Sequence, residues 1–226
     1  MREVWDVYTK DRKKTGKTCI RGEQGQLSED EFHLWITVWI KNPETGRYLI
    51  SQRSADKETD PLKWETVAGH SVSGENSLDA ALREVSEEVG ITLQPEKAVI
   101  RSTKVAFTYD GKRHNWIRDA YYFETTDEPD LQKASTNEVL QTRWLTLPEI
   151  REKYEHGDCC LSVKDIFGFE ENPVPADRYD DNKTKWIVVS CDENGAIRSD
   201  VTVPDDDEIY AQIAFQEHFF NGVLVR

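Results

Sequence analysis

At 226 residues, with 37% hydrophobic and 32% charged positions, the chain is long enough for one well-buried α/β core with an appendage, or for two small domains. Seven Trp, eight Tyr and eight Phe argue against a disordered chain, and a formal net charge of −14 argues against nucleic acid as a bulk partner, because phosphate binding needs concentrated Lys and Arg. The longest apolar run, Leu34 to Ile40, is far short of a membrane span, and the opening residues carry no signal-peptide pattern, so a cytoplasmic location with reduced Cys19, Cys159, Cys160 and Cys191 is expected.

In chain order, Trp5 to Lys10 alternates apolar and polar residues and reads as a short strand, with Lys14-Thr15-Gly16-Lys17 as a turn after it. Phe32 to Lys41 is a stronger, aromatic and β-branched strand; Asn42 to Gly46 turns the chain, Tyr48 to Arg53 returns, and Ser54 to Lys63 is a loop. Ser77 to Val89 reads as a helix whose apolar stripe is Leu78, Ala81, Leu82, Val85 and Val89; Asn76 or Ser77 caps its start and Gly90 ends it. Ala98 to Thr108 and His114 to Thr125 read as a hairpin around Asp110-Gly111, Gln141 to Leu145 as a strand, and Glu149 to Tyr154 as a helix opened by Pro148.

Beyond about residue 170 the texture changes. Asn172-Pro173-Val174-Pro175 reads as a linker, Trp186 to Ser190 and Ile197 to Val203 as a hairpin, and Asp205 to Glu208 as the start of a helix. The expected organisation is therefore a domain over 1–170 and an extension over 171–226, packing on the core or on a dimer partner. Strands flanking helices in this order predict an α/β/α sandwich with a mixed β-sheet.

The chemistry concentrates between residues 69 and 91. Glu84, Glu87 and Glu88 stand at i, i+3 and i+4 and share one helix face beside the apolar stripe. Like charges so placed repel, and a hard cation such as Mg²⁺ or Mn²⁺ would relieve them, since such ions take several carboxylate oxygens. Arg83, one turn from both Asp79 and Glu87, can orient carboxylates within the helix. An isolated E-x-x-E-E is ordinarily a solvated, salt-bridged face. Here the wider pattern is G-x5-E-x7-R-E-U-x-E-E-x-G-U, with U aliphatic, filled by Gly69, Glu75, Arg83, Glu84, Val85, Glu87, Glu88, Gly90 and Ile91.

That pattern resembles the Nudix box. The resemblance implies a loop–helix–loop within an α/β/α sandwich, and hydrolysis of a diphosphate linkage in a nucleoside diphosphate derivative or another small organic diphosphate. It implies Mg²⁺, with Mn²⁺ able to substitute, held by Glu84, Glu87, Glu88 and the carbonyl of Gly69. It also implies that one glutamate acts as base, that Arg83 and Glu75 hold loop to helix with Gly90 closing the motif, and that a later glutamate, Glu138, assists. A catalytic set of Glu84, Glu87, Arg83 and Glu138 is thus expected.

A narrower resemblance runs from about Val4 to Tyr154. Trp5-Asp6-Val7-Tyr8, Leu49 to Ser54, Lys57, Trp64 and Gly69-His70 are similar to the branch containing isopentenyl-diphosphate isomerases. It implies that Arg53 and Lys57 contact the diphosphate. The chain departs from that branch at Trp64-Glu65-Thr66-Val67-Ala68, which carries no thiol where the isomerases place a catalytic cysteine. Isomerisation is therefore the runner-up, and a non-catalytic nucleotide-binding module is a further alternative. The expected partner is a small diphosphate substrate, with no membrane and with a homodimer possible.

Overall fold

A computed structural model of the chain describes residues 2–9, 12–23, 27–95, 99–109, 112–164, 166–167 and 188–191. The elements are β1 (Val4–Thr9), β2 (Lys14–Ile20), β3 (Glu31–Lys41), β4 (Tyr48–Arg53), β5 (Trp64–Glu65), β6 (Val67–His70), α1 (Ser77–Val89), β7 (Val99–Tyr109), β8 (Lys112–Glu124), β9 (Val139–Leu145), α2 (Leu147–Glu155), a 3-10 turn at Leu161–Lys164, and β10 (Val188–Cys191).

The central strand is β3. It runs parallel to β8 from His33↔Trp116 to Lys41↔Glu124 and antiparallel to β6 and β1, and it touches β4 at Lys41↔Tyr48. A strand covered on both faces reads as a near-continuous apolar run, which is what Phe32 to Ile40 supplies. Its Ile36, Val38 and Ile40 meet Ala81, Val85 and Val89 of α1. Trp39, on the other face, joins Ile150 of α2 with Val163, Ile166 and Phe167. Helices thus cover both faces of a mixed sheet, the α/β/α sandwich the sequence predicts. Each fully buried Val or Ile contributes on the order of 1.5–3 kcal/mol.

Two readings need correction. Lys14 to Lys17 is not a turn but the start of β2, which pairs with β1 through a register irregularity between Asp6 and Tyr8; the local Gly signal marks that irregularity. The segment before the box holds two short strands, β5 and β6, paired with β4 and β3. In α1 the buried face is Ser77, Ala80, Ala81, Val85, Glu88 and Val89, while Leu78 and Leu82 are only partly buried. Small side chains at Ala80 and Ala81 let the helix approach the sheet closely, which pushes the two leucines to the margin.

The expected strands at Ala98–Thr108 and His114–Thr125 appear as β7 and β8; Ala98 and the turn residues Asp110 and Gly111 lie outside the described residues. The linker at 172–175, most of the second hairpin and the last helix also lie outside them. Within that region Val188–Cys191 is described, running parallel to β7.

Candidate functional site

The site is built around α1. Asn76 caps the helix by accepting the backbone N–H of Asp79 at 2.9 Å, and Gly90 ends it in the left-handed conformation at φ 69°. Ser77, behind the cap, donates to Asp119 and accepts from the Tyr121 hydroxyl at 3.0 Å. Arg12 reaches Asp119 from the far side as a two-pronged ion pair. The loop entering the helix is tied to β1, because Asp6 accepts from the Ser73 hydroxyl at 2.7 Å and from Gly74 N at 3.0 Å.

Arg83 uses all five of its donors. Its Nε and Nη2 reach the two oxygens of Glu75 at 2.9 and 3.1 Å, Nη1 reaches Glu84 and Glu87 at 2.9 Å each, and Nη2 also reaches the His70 carbonyl at 2.9 Å. One guanidinium therefore fixes the entry loop, strand β6 and two carboxylates of the helix. Glu75 closes the loop further by accepting from Val72 N at 3.1 Å.

The three helix glutamates differ in environment. Glu87 is half-exposed and paired with Arg83. Glu84 packs against Gly69, and burial pushes its carboxyl up to about 7, with Arg83 opposing and Glu87 adding. Glu88 lies inside the protein, 4% exposed, and its Oε2 has no hydrogen-bond partner. Burial raises it well above the usual carboxylate range, and the like charges of Glu65, Glu84 and Glu138 push the same way, against Lys57. Among the described residues, no three His, Cys, Asp or Glu side chains already converge on a common point; Arg83 holds Glu84 and Glu87.

The expected substrate cations stand at the end of β4 and in the loop after it, and each is already paired. Arg53 Nη1 bonds Glu65 at 2.7 Å, and its Nε and Nη2 bond the Thr59 carbonyl at 3.1 and 2.9 Å. Lys57 bonds Glu138 at 2.6 Å. The structure thus gathers Glu75, Arg83, Glu84, Glu87 and Gly69 around one guanidinium, with Gly90 closing the helix; Lys57 and Glu138 act on Glu88, while Arg53 binds Glu65 and the Thr59 carbonyl. His70 turns its ring away to stack on Trp5 at 4.1 Å, and burial lowers its pKa to about 3, so it stays neutral.

Glu65 is the residue that sequence reasoning missed. Burial raises its carboxyl, Arg53 opposes that, and its charge acts on Glu88 more strongly than that of any other side chain. Ser51↔Glu65 pairing places it beside the end of β4, so recognising β5 as a strand opposite Arg53 would have found it.

A NUDIX domain profile matches residues 31–161. An uncharacterised Nudix hydrolase of Listeria monocytogenes is 38% identical over 161 residues, covering 69% of this chain and 87% of that protein. An isopentenyl-diphosphate Delta-isomerase of Shigella flexneri is 26% identical over 120 residues, covering 52% of this chain and 64% of that protein. Among solved structures, a Nudix hydrolase from Nitrosomonas europaea is similar in fold, with a TM-score of 0.51 at 20% identity over 66% of this chain and 96% of that one.

Proposed function

The chain belongs to the Nudix family as a Nudix hydrolase, and on that premise we propose that it cleaves the diphosphate linkage of a nucleoside diphosphate derivative or another small organic diphosphate with the help of Mg²⁺ or Mn²⁺. The observation that carries this reading is Glu88: a buried carboxyl with an unpartnered oxygen, facing further carboxylates. A buried carboxyl without a partner is costly to ionise, and a hard divalent ion, which takes carboxylate oxygens, would offset that cost.

Glu84, Glu87, Glu88 and the Gly69 carbonyl would hold it. When bound, such an ion withdraws charge from phosphate oxygens and acidifies a bound water. Arg83 keeps Glu84 and Glu87 aimed from one helix face, and Glu75 braces Arg83 against the entry loop. Glu87, the most exposed of the three, and Glu138, paired with Lys57, would position or deprotonate water. Arg53 and Lys57 bring positive charge to a strongly acidic molecule at the point where a diphosphate must enter. All five donors of Arg83 are committed to Glu75, Glu84, Glu87 and the His70 carbonyl, so we assign it a positioning part in the set.

The hydrolytic reading is favoured over isomerisation by the residues of β6: Val67 and Ala68 can neither donate nor accept a proton. Cys19 lies on β2 opposite Trp5, and burial pushes its thiol up to about 11. The test is a screen of organic diphosphates with Mg²⁺ and Mn²⁺, including isopentenyl diphosphate, monitored for both phosphate-containing products and dimethylallyl diphosphate. Cleavage that falls at least tenfold in Glu87→Gln is expected. Isomer formation without any cleavage, lost in Cys19→Ala, would replace the proposal with the isomerase reading.

A further inference from the structure

The two cations at the end of β4 and in the loop after it are held in different ways. Arg53 is committed on every side. Besides its bond to Glu65, its Nε and Nη2 grip the Thr59 carbonyl, Nη2 also reaches Thr59 Oγ1 at 3.3 Å, and both Arg53 and Glu65 side chains are only 13% exposed. Swinging Arg53 onto a ligand would leave Glu65 buried without its counter-charge.

The loop it grips is also unusual. Asp60 and Leu62 both adopt positive φ, at 46° and 64°, on either side of Pro61. Non-glycine residues hold that conformation only where surrounding bonds impose it. Here the bonds are Arg53 to Thr59, Arg53 N to the Lys63 carbonyl at 2.9 Å, and Gln52 Nε2 to the Leu62 carbonyl at 2.7 Å.

Lys57 stands in that loop, and its ammonium is held by one ion pair, to Glu138, whose side chain is 43% exposed. Breaking that pair returns Glu138 to water and not to a buried void. The backbones would not separate, because Ser54 N still donates to the Glu138 carbonyl at 2.8 Å. Both members of the pair act electrostatically on Glu88, so the pair stands beside the helix carboxylates.

We propose that Lys57 is the exchangeable cation of the site: an incoming diphosphate takes Lys57 from Glu138, and the freed Glu138 carboxylate then becomes available to position water. Arg53 is a positioning residue that fixes the loop so that Lys57 can make this exchange. The inference rests on the reading of the α1 carboxylates as a diphosphate site. It makes Glu138 masked at rest and unmasked by the substrate itself, so that a diphosphate both binds and completes the site.

The exchange has a consequence that a plain contact list does not predict. Removing the Glu138 charge releases Lys57 in advance, so an inert diphosphate binds more tightly. The experiment is titration calorimetry of imidodiphosphate with Mg²⁺ on the full chain. Glu138→Gln is expected to bind about two- to fivefold more tightly than wild type, the scale of a part-exposed ion pair. Lys57→Gln is expected to bind about tenfold more weakly, and the double variant to match Lys57→Gln alone. Arg53→Lys is expected to weaken binding in the wild-type background and to have no further effect in Lys57→Gln.

Weaker or unchanged binding in Glu138→Gln, or additive effects in the double variant, would overturn the exchange. An equal loss from Arg53→Lys in both backgrounds would make Arg53 a direct ligand and overturn its positioning role. If wild type itself fails to bind imidodiphosphate with Mg²⁺, the underlying diphosphate-site reading falls, a result distinct from failure of the exchange alone.

Discussion

A methyl group on Gly69 would stand 2.2 Å from the carboxyl carbon and Oε1 of Glu84. The obstacle is the end of a flexible side chain, so the helix can stay while the carboxylate gives way, at a cost within about 1–3 kcal/mol. The displaced Glu84 would leave its 2.9 Å bond to Arg83. Gly69→Ala is therefore expected to stay folded, with a modest drop in melting temperature, while turnover falls tenfold or more. Near-wild-type turnover would mean that the position of Glu84 is immaterial. At this scale the sequence spacing reveals which carboxylates share a face. It does not reveal that Glu88 is buried and Glu87 half-exposed, because that depends on how closely Ala80 and Ala81 let the helix approach β3.

Helix α1 is legible in the sequence because its period, its Asn76 cap and its Gly90 stop are all local. The strands β2, β5 and β6 are less so. Two of them are two and four residues long, and they exist through pairing with β4 and β3; β2 is largely polar and pairs with β1 at the end of the sheet order. The end of α1 is also where the helix meets the loop bearing Glu138: Ser135 N and Thr136 N both donate to the Glu87 carbonyl, at 3.0 and 3.2 Å. Gly90 sits in that junction, and a Cβ there would lie 2.1 Å from the backbone oxygen of Asp130. The left-handed conformation costs a non-glycine residue about 1–2 kcal/mol, and here the obstruction is backbone that cannot rotate away. Gly90→Ala is expected to lower unfolding free energy by about 3 kcal/mol in urea denaturation. A loss below about 1 kcal/mol would show that this junction is slack.

Across the whole molecule, two of the contacts that assemble the site join residues far apart in the chain, Lys57 with Glu138 and Arg12 with Asp119, and a third set, Arg83 with Glu75 and the His70 carbonyl, lies within the box. No local pattern announces the first two, and only the fixed spacing of the box announces the third. The formal charge of −14 adds a general consequence. Carboxylates crowd the site in a molecule already rich in negative charge, and Glu88 is buried among them without a partner for its Oε2. A divalent cation bound there should stabilise the fold by linkage. The decisive measurement is thermal unfolding of wild type and Glu88→Gln with and without Mn²⁺. The account predicts that Mn²⁺ raises the wild-type melting temperature by several degrees and that of Glu88→Gln by little, while the cation-free variant melts at or above wild type. An equal Mn²⁺-induced rise in both proteins would contradict the assignment of the cation to the α1 carboxylates.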